Sequence, residues 1–127
     1  MSDDKFKRGL EIRKEVLGAE YVERALANAD EFTMPLQQMV TEHAWHDIWS
    51  RPGLSRRDRS LVNLAMISAL NRPHELKLHV AGALRNGVSK DEIREVLLQV
   101  GVYAGMPAAI DCFRVAKEAF AEMEKGK

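Results

Sequence analysis

Apolar residues recur every third or fourth position along almost the whole chain, rather than in the strict alternation of a half-buried strand. That spacing gathers them on one side of a helix, and the few Gly and Pro residues fall where helices start or stop. The pattern predicts an all-α fold, a compact bundle of about six to seven helices. Two charged amphipathic helices are expected over residues 4–17 and 21–29, then an aromatic-marked helix over 34–49. Ser50-Arg51-Pro52-Gly53 ends the third, because proline removes a backbone donor and glycine tolerates the left-handed conformation of a helix end. Ser55 reads as the cap of the next helix, with Asp58 in its first turn. The body of that helix, 61–70, is apolar nearly all round, which predicts a central helix packed on several sides. Pro73 suits the first position of a helix over 73–86 that Gly87 closes. Ser89 and Glu92 form a capping box ahead of an inward stripe of Ile93, Val96, Leu97 and Val100. A last helix over 107–123 carries Ile110, Phe113, Val115 and Phe120 among charges.

A length of 127 residues suits a single domain spanning 1–127, and a chain this small gains from burial between subunits. Nineteen Lys and Arg balance nineteen Asp and Glu, so no global field draws in nucleic acid or an anionic membrane. The apolar run over 61–70 is half of what a bilayer span needs, so no membrane segment is expected. Cys112 is the sole cysteine, which excludes an intramolecular disulfide framework and every C-x-x-C redox or zinc pair. Together with the lack of a signal-like N-terminal stretch, this predicts a cytoplasmic protein. Gly82, Gly87, Gly101 and Gly105 follow no phosphate-loop spacing and read as packing and capping glycines.

Glu75 and His79 stand four apart on a predicted helix, so both project from one face and can serve a common ligand. A carboxylate bonded to an imidazole fixes its tautomer and leaves the other ring nitrogen to move a proton; the same spacing also makes ordinary helix contacts. His43 and His46, with Glu42 beside them, could join His79 around a metal, but the spacing matches no strong metal motif and a polar helix face accounts for it. No metal is expected. Trp45 and Trp49, also four apart, read as core or interface anchors that can also wall a pocket. Arg51, Arg56, Arg57, Arg59 and Arg72 gather positive charge about the ends of the central helix. This is a solvated face or a landing site for a small dianion.

Longer stretches are more specific: 45–54 (WHDIWSRPGL), Arg59-Ser60, Glu75-Leu76-Lys77-Leu78-His79, Asn86-Gly87-Val88, 92–99 (EIREVLLQ) and 103–109 (YAGMPAA). In this order and spacing the chain resembles the γ-carboxymuconolactone decarboxylase family over nearly its whole length. The resemblance implies an alkylhydroperoxidase D-like helical fold, a homo-oligomer that is often a hexamer, and a place in protocatechuate breakdown. The related peroxidase branch carries C-x-x-C-x-x-x-H, whose histidine matches His79 and whose cysteines fall at Arg72 and Glu75. Thiol peroxidase chemistry therefore does not carry over. His46 stands where the family pattern has glycine after Trp45, which points to a reshaped pocket.

The activity so implied is cofactor-independent decarboxylation of γ-carboxymuconolactone, a lactone dicarboxylate, to 3-oxoadipate enol-lactone. The departing carboxylate is conjugated through a double bond to the lactone carbonyl, so the substrate is its own electron sink. The protein must orient two carboxylates, stabilise the dienolate and supply one proton to carbon. On this reading His79 delivers the proton and Glu75 orients it or exchanges its proton. Arg51 with Arg59 or Arg72 binds carboxylates, and Trp49 and Tyr103 shape the pocket. The alternatives are a related enzyme acting on another lactone or oxo acid, which His46 favours, and a non-catalytic oligomeric homologue.

Overall fold

The computed structural model describes residues 2–126, and those residues form helices joined by short turns. In order they are α1 (Ser2–Leu17), α2 (Ala19–Ala27), α3 (Met34–Met39), a π-helical segment (Val40–His46), α4 (Arg56–Ala69), α5 (Pro73–Arg85), α6 (Lys90–Ala104) and α7 (Met106–Lys125). No strand occurs among the described residues, as the helical spacing predicts. None of these helices is long and apolar enough to cross a membrane. The contacts divide the chain into two units, Met1–Leu54 and Ser55–Lys127.

In the first unit α1 packs on the π-helical segment. Gly9 permits the approach, because a Cβ built there would lie 2.1 Å from the carbonyl oxygen of Thr41. Arg13, buried on α1, donates through Nη1 to Gln37 Oε1 at 2.9 Å and to Thr41 Oγ1 at 3.3 Å, tying α1 to both following segments. The helix expected over 34–49 is α-helical only to Met39. Beyond it the amide of Asp47 donates to the carbonyl of Glu42 at 2.9 Å and that of Trp49 to Ala44 at 3.1 Å, the five-residue step of a π-helix. One extra residue enters the turn and changes which side chains face inward; Thr41, Glu42, Trp45 and Trp49 are the buried ones.

In the second unit the helix ends are set locally. Ser55 Oγ accepts from the amide of Asp58 at 3.1 Å to start α4, and Ser89 and Glu92 make both bonds of a capping box at α6. Pro73 opens α5, and Gly87 after its end adopts φ +92°, which a side chain would strain. Asn86 Nδ2 reaches Ser60 Oγ at 2.9 Å and pins the end of α5 to the start of α4. Leu64, Leu76, Val80, Ala83, Val88, Ile93, Leu97, Cys112, Ala116 and Ala119 form the core.

The burial of α4 and α7 is uneven. α4 does pack against α5, α6 and α7, with Leu64 fully buried, but it is not covered all round: Val62, Met66 and Leu70, spaced by four, are exposed. On α7 the inward positions belong to Ala109, Cys112, Ala116 and Ala119, and Ile110 is exposed. Small side chains let α7 lie close to its neighbours, with Phe113, Val115 and Phe120 partly buried against the same core.

Candidate functional site

His79 shares the inward stripe of α5 with Leu76, Val80 and Ala83, and it is only 6% exposed. Imidazole is readily desolvated when neutral and resists burial when charged. Burial accordingly pushes its pKa down to about 4, so the ring is neutral at physiological pH. Glu75 lies one turn earlier in the first turn of α5 and is exposed; among the described residues it makes no hydrogen bond or ion pair. The two share a helix, as predicted, without the carboxylate–imidazole bond that would make them a pair.

The predicted arginines differ in setting. Arg59 is half-buried on α4, and Arg72 is exposed just ahead of α5 with Nη1 donating to the carbonyl of Leu70 at 3.2 Å. Arg51 is exposed in the first unit, which also holds Trp49. Trp49 is buried, and its ring lies 5.0 Å from that of Trp45 at a tilt of 31°. Tyr103, at the end of α6, is 84% exposed and lines a groove of about 510 Å³ between α4 and α6 with Leu61, Val62, Ala65, Val96 and Val100. No charged side chain lines that groove, and His79, Glu75, Arg59 and Arg72 are not part of it. It suits an apolar surface better than a dianion.

The histidines considered for a metal have another partner. Asp47 accepts from His46 Nδ1 at 2.8 Å, from His43 Nδ1 at 3.0 Å and from Lys5 Nζ on α1. These three donors, His46 foremost, hold its carboxyl well below the usual carboxylate range. Among the described residues no three His, Cys, Asp or Glu side chains are grouped to hold a metal ion. Glu42, grouped with these histidines from sequence, goes elsewhere: it is buried, and its Oε2 makes no hydrogen bond among the described residues. Asp47 was missed, although Asp four residues after His43 on a helix is a readable pairing. The burial of Glu42 has no such local signal.

The sequence pattern of the carboxymuconolactone decarboxylase family matches residues 35–118. The chain belongs to that family. A 4-carboxymuconolactone decarboxylase from Acinetobacter baylyi is 43% identical over 124 residues, covering 97% of this chain and 92% of the relative. A nitrosuccinic acid decarboxylase from Metarhizium robertsii is 46% identical over 123 residues, covering 96% and 86%. An uncharacterised 15.0 kDa protein from Paracoccus denitrificans is 31% identical over 80 residues, covering 61% of this chain and 59% of the relative. The family match encloses Glu42, Trp49, Arg51, Arg59, Arg72, Glu75, His79 and Tyr103.

Proposed function

We propose that this carboxymuconolactone decarboxylase family member removes carbon dioxide from γ-carboxymuconolactone to give 3-oxoadipate enol-lactone in protocatechuate catabolism. Near-full-length identity of 43% to a 4-carboxymuconolactone decarboxylase carries the reading. The chemistry asks for no metal or organic cofactor, because the bond pair of the departing carboxylate flows through the ring double bond onto the lactone oxygen.

The burial that keeps His79 neutral alters the role expected for it. A neutral imidazole is a poor proton donor and a good hydrogen-bond donor, and a bond to the lactone oxygen strengthens as the dienolate charge grows there. Arg51, with Arg59 or Arg72, is assigned to the substrate carboxylates. Guanidinium groups engage them two bonds at a time. Trp49 and Tyr103 are assigned to shaping the pocket, and Glu75, exposed on the first turn of α5, to proton exchange with solvent.

A homo-oligomer, a hexamer on the family resemblance, belongs to the same proposal, as do a single functional domain over 1–127 and a cytoplasmic location. Val62, Met66 and Leu70 on α4, Leu98 and Val102 on α6, and Met106 and Ile110 on α7 are large apolar side chains left exposed by the single chain. A monomer rarely tolerates so many, which supports burial between subunits.

The second reading is a smaller diacid, favoured by 46% identity to a nitrosuccinic acid decarboxylase and by His46 at the expected glycine. A nitro group beside the departing carboxylate is also an electron sink, so the same residues would serve. Carbon dioxide release from each substrate by the purified chain decides between them. Turnover of γ-carboxymuconolactone that falls about 100-fold or more in His79→Asn is expected from loss of such a donor. Turnover of nitrosuccinate alone would give the second reading, and turnover of neither would overturn both.

A further inference from the structure

Within the second unit, Arg57 on α4 bonds Glu92 on α6. The groove beyond repeats that offset, Leu61 with Val96, Ala65 with Val100 and Ala69 with Ala104, so the two helices run side by side in one direction. Ala65 and Ala69, one turn apart, leave the groove open, and beside them Val62, Met66 and Leu70 stand in a row of four-residue steps, all exposed. One face thus carries both a groove of about 510 Å³ and a ridge about 12 Å long. Charge marks only its ends. α4 bears no charged residue between Arg59 and the Arg72 that follows it, and α6 bears none after Glu95. Arg72 is exposed where the groove ends, with Nη1 bonded to the Leu70 carbonyl and the rest of its donors left over. Glu95 is exposed where the groove begins, and among the described residues it makes no hydrogen bond or ion pair.

We propose that this face pairs with the same face of a second copy about a two-fold axis, an inference that rests on the homo-oligomer reading. The ridge of Val62, Met66 and Leu70 on each chain seats in the α4–α6 groove of the other. A contact of this kind needs a surface that is its own complement, and a ridge beside a groove on one face is such a surface. Neither part carries charge along its length, so the contact desolvates no ion. The end charges select the direction. With the two α4 helices antiparallel, Arg72 of each copy arrives beside Glu95 of the other, and the opposite-charge pair forms twice. With the helices parallel, arginine would meet arginine and glutamate would meet glutamate.

The test follows mass against concentration by sedimentation for the full-length wild type, Arg72→Glu, Glu95→Arg and the double variant, with helical circular dichroism as the check on folding. Each single reversal replaces two ion pairs by two like-charge contacts and raises the dissociation constant about 10-fold or more. The double variant re-forms the pairs with their signs exchanged and returns to within about 3-fold of wild type. Met66, midway along the ridge, comes nearest the axis, so Met66→Cys gives a covalent dimer on oxidation. Carbon dioxide release by the wild type is scored apart, because loss of the decarboxylase reading leaves these contacts untouched. A wild type that stays monomeric, its groove open to another protein or ligand, overturns the homo-oligomer reading and this inference together. An assembling wild type whose single reversals are not rescued in the double variant, and whose Met66→Cys chains stay unlinked, overturns this inference alone.

Discussion

His79→Asn gives a quantitative test of the buried imidazole. In the unfolded chain the ring titrates near its ordinary 6.5, and in the folded chain burial lowers this to about 4. Between those values the unfolded chain binds a proton that the folded chain refuses. The stability tied to neutral His79 is therefore present above pH 6.5 and is lost as pH falls towards 4. Linkage puts the loss between pH 7 and pH 5 at about 2 kcal/mol, and the limit below pH 4 at about 3 kcal/mol. With a urea m-value of about 2 kcal/mol/M, the unfolding midpoint falls by about 1 M from pH 7 to pH 5. Asparagine is polar and does not titrate. His79→Asn costs some packing at every pH but is spared this slope. Urea unfolding of both chains, at one fixed protein concentration, cancels every pH-dependent contribution that the two chains share. Equal losses of stability in the two chains between pH 7 and pH 5 would refute a neutral, buried His79.

Gly9→Ala destabilises the first unit by about 1–3 kcal/mol, because the new Cβ meets the Thr41 carbonyl oxygen at 2.1 Å and backbone cannot yield cheaply. Gly53→Ala, which meets nothing within 4 Å, is the control and changes denaturant stability by less than about 0.5 kcal/mol. Ser89→Ala removes one half of the capping box and costs about 1 kcal/mol in the same assay. On the proposed homo-oligomer, Val102→Glu, at a side chain 70% exposed on α6, leaves the helical circular dichroism intact and lowers the sedimentation mass. Unchanged mass would remove α6 from the proposed interface between subunits. Asp47 stays ionised well below the usual carboxylate range, with His46 the largest cause, so in carbon-13 spectra its carboxyl titrates later than a typical aspartate as pH falls.

What the sequence alone determined is local. Helix periodicity, Ser55 and Ser89 at N-termini, Pro73 at a first turn and Gly87 after a last one each act within a few residues, so the element order was legible. The stretch containing Glu75 and His79 was legible too, through the resemblance and the four-residue spacing. Tertiary structure decided the rest. Whether His79 is charged depends on what surrounds it, and whether Glu75 bonds to it depends on exposure; neither is a property of their spacing. The π-helical segment depends on how α1 packs on it through Gly9 and Arg13, contacts that bridge about 30 residues of chain. In the same segment Glu42 is buried and His43 and His46 pair with Asp47. The face of α4 that looks central in sequence is left exposed, because an apolar stripe cannot distinguish a core within one chain from an interface between two.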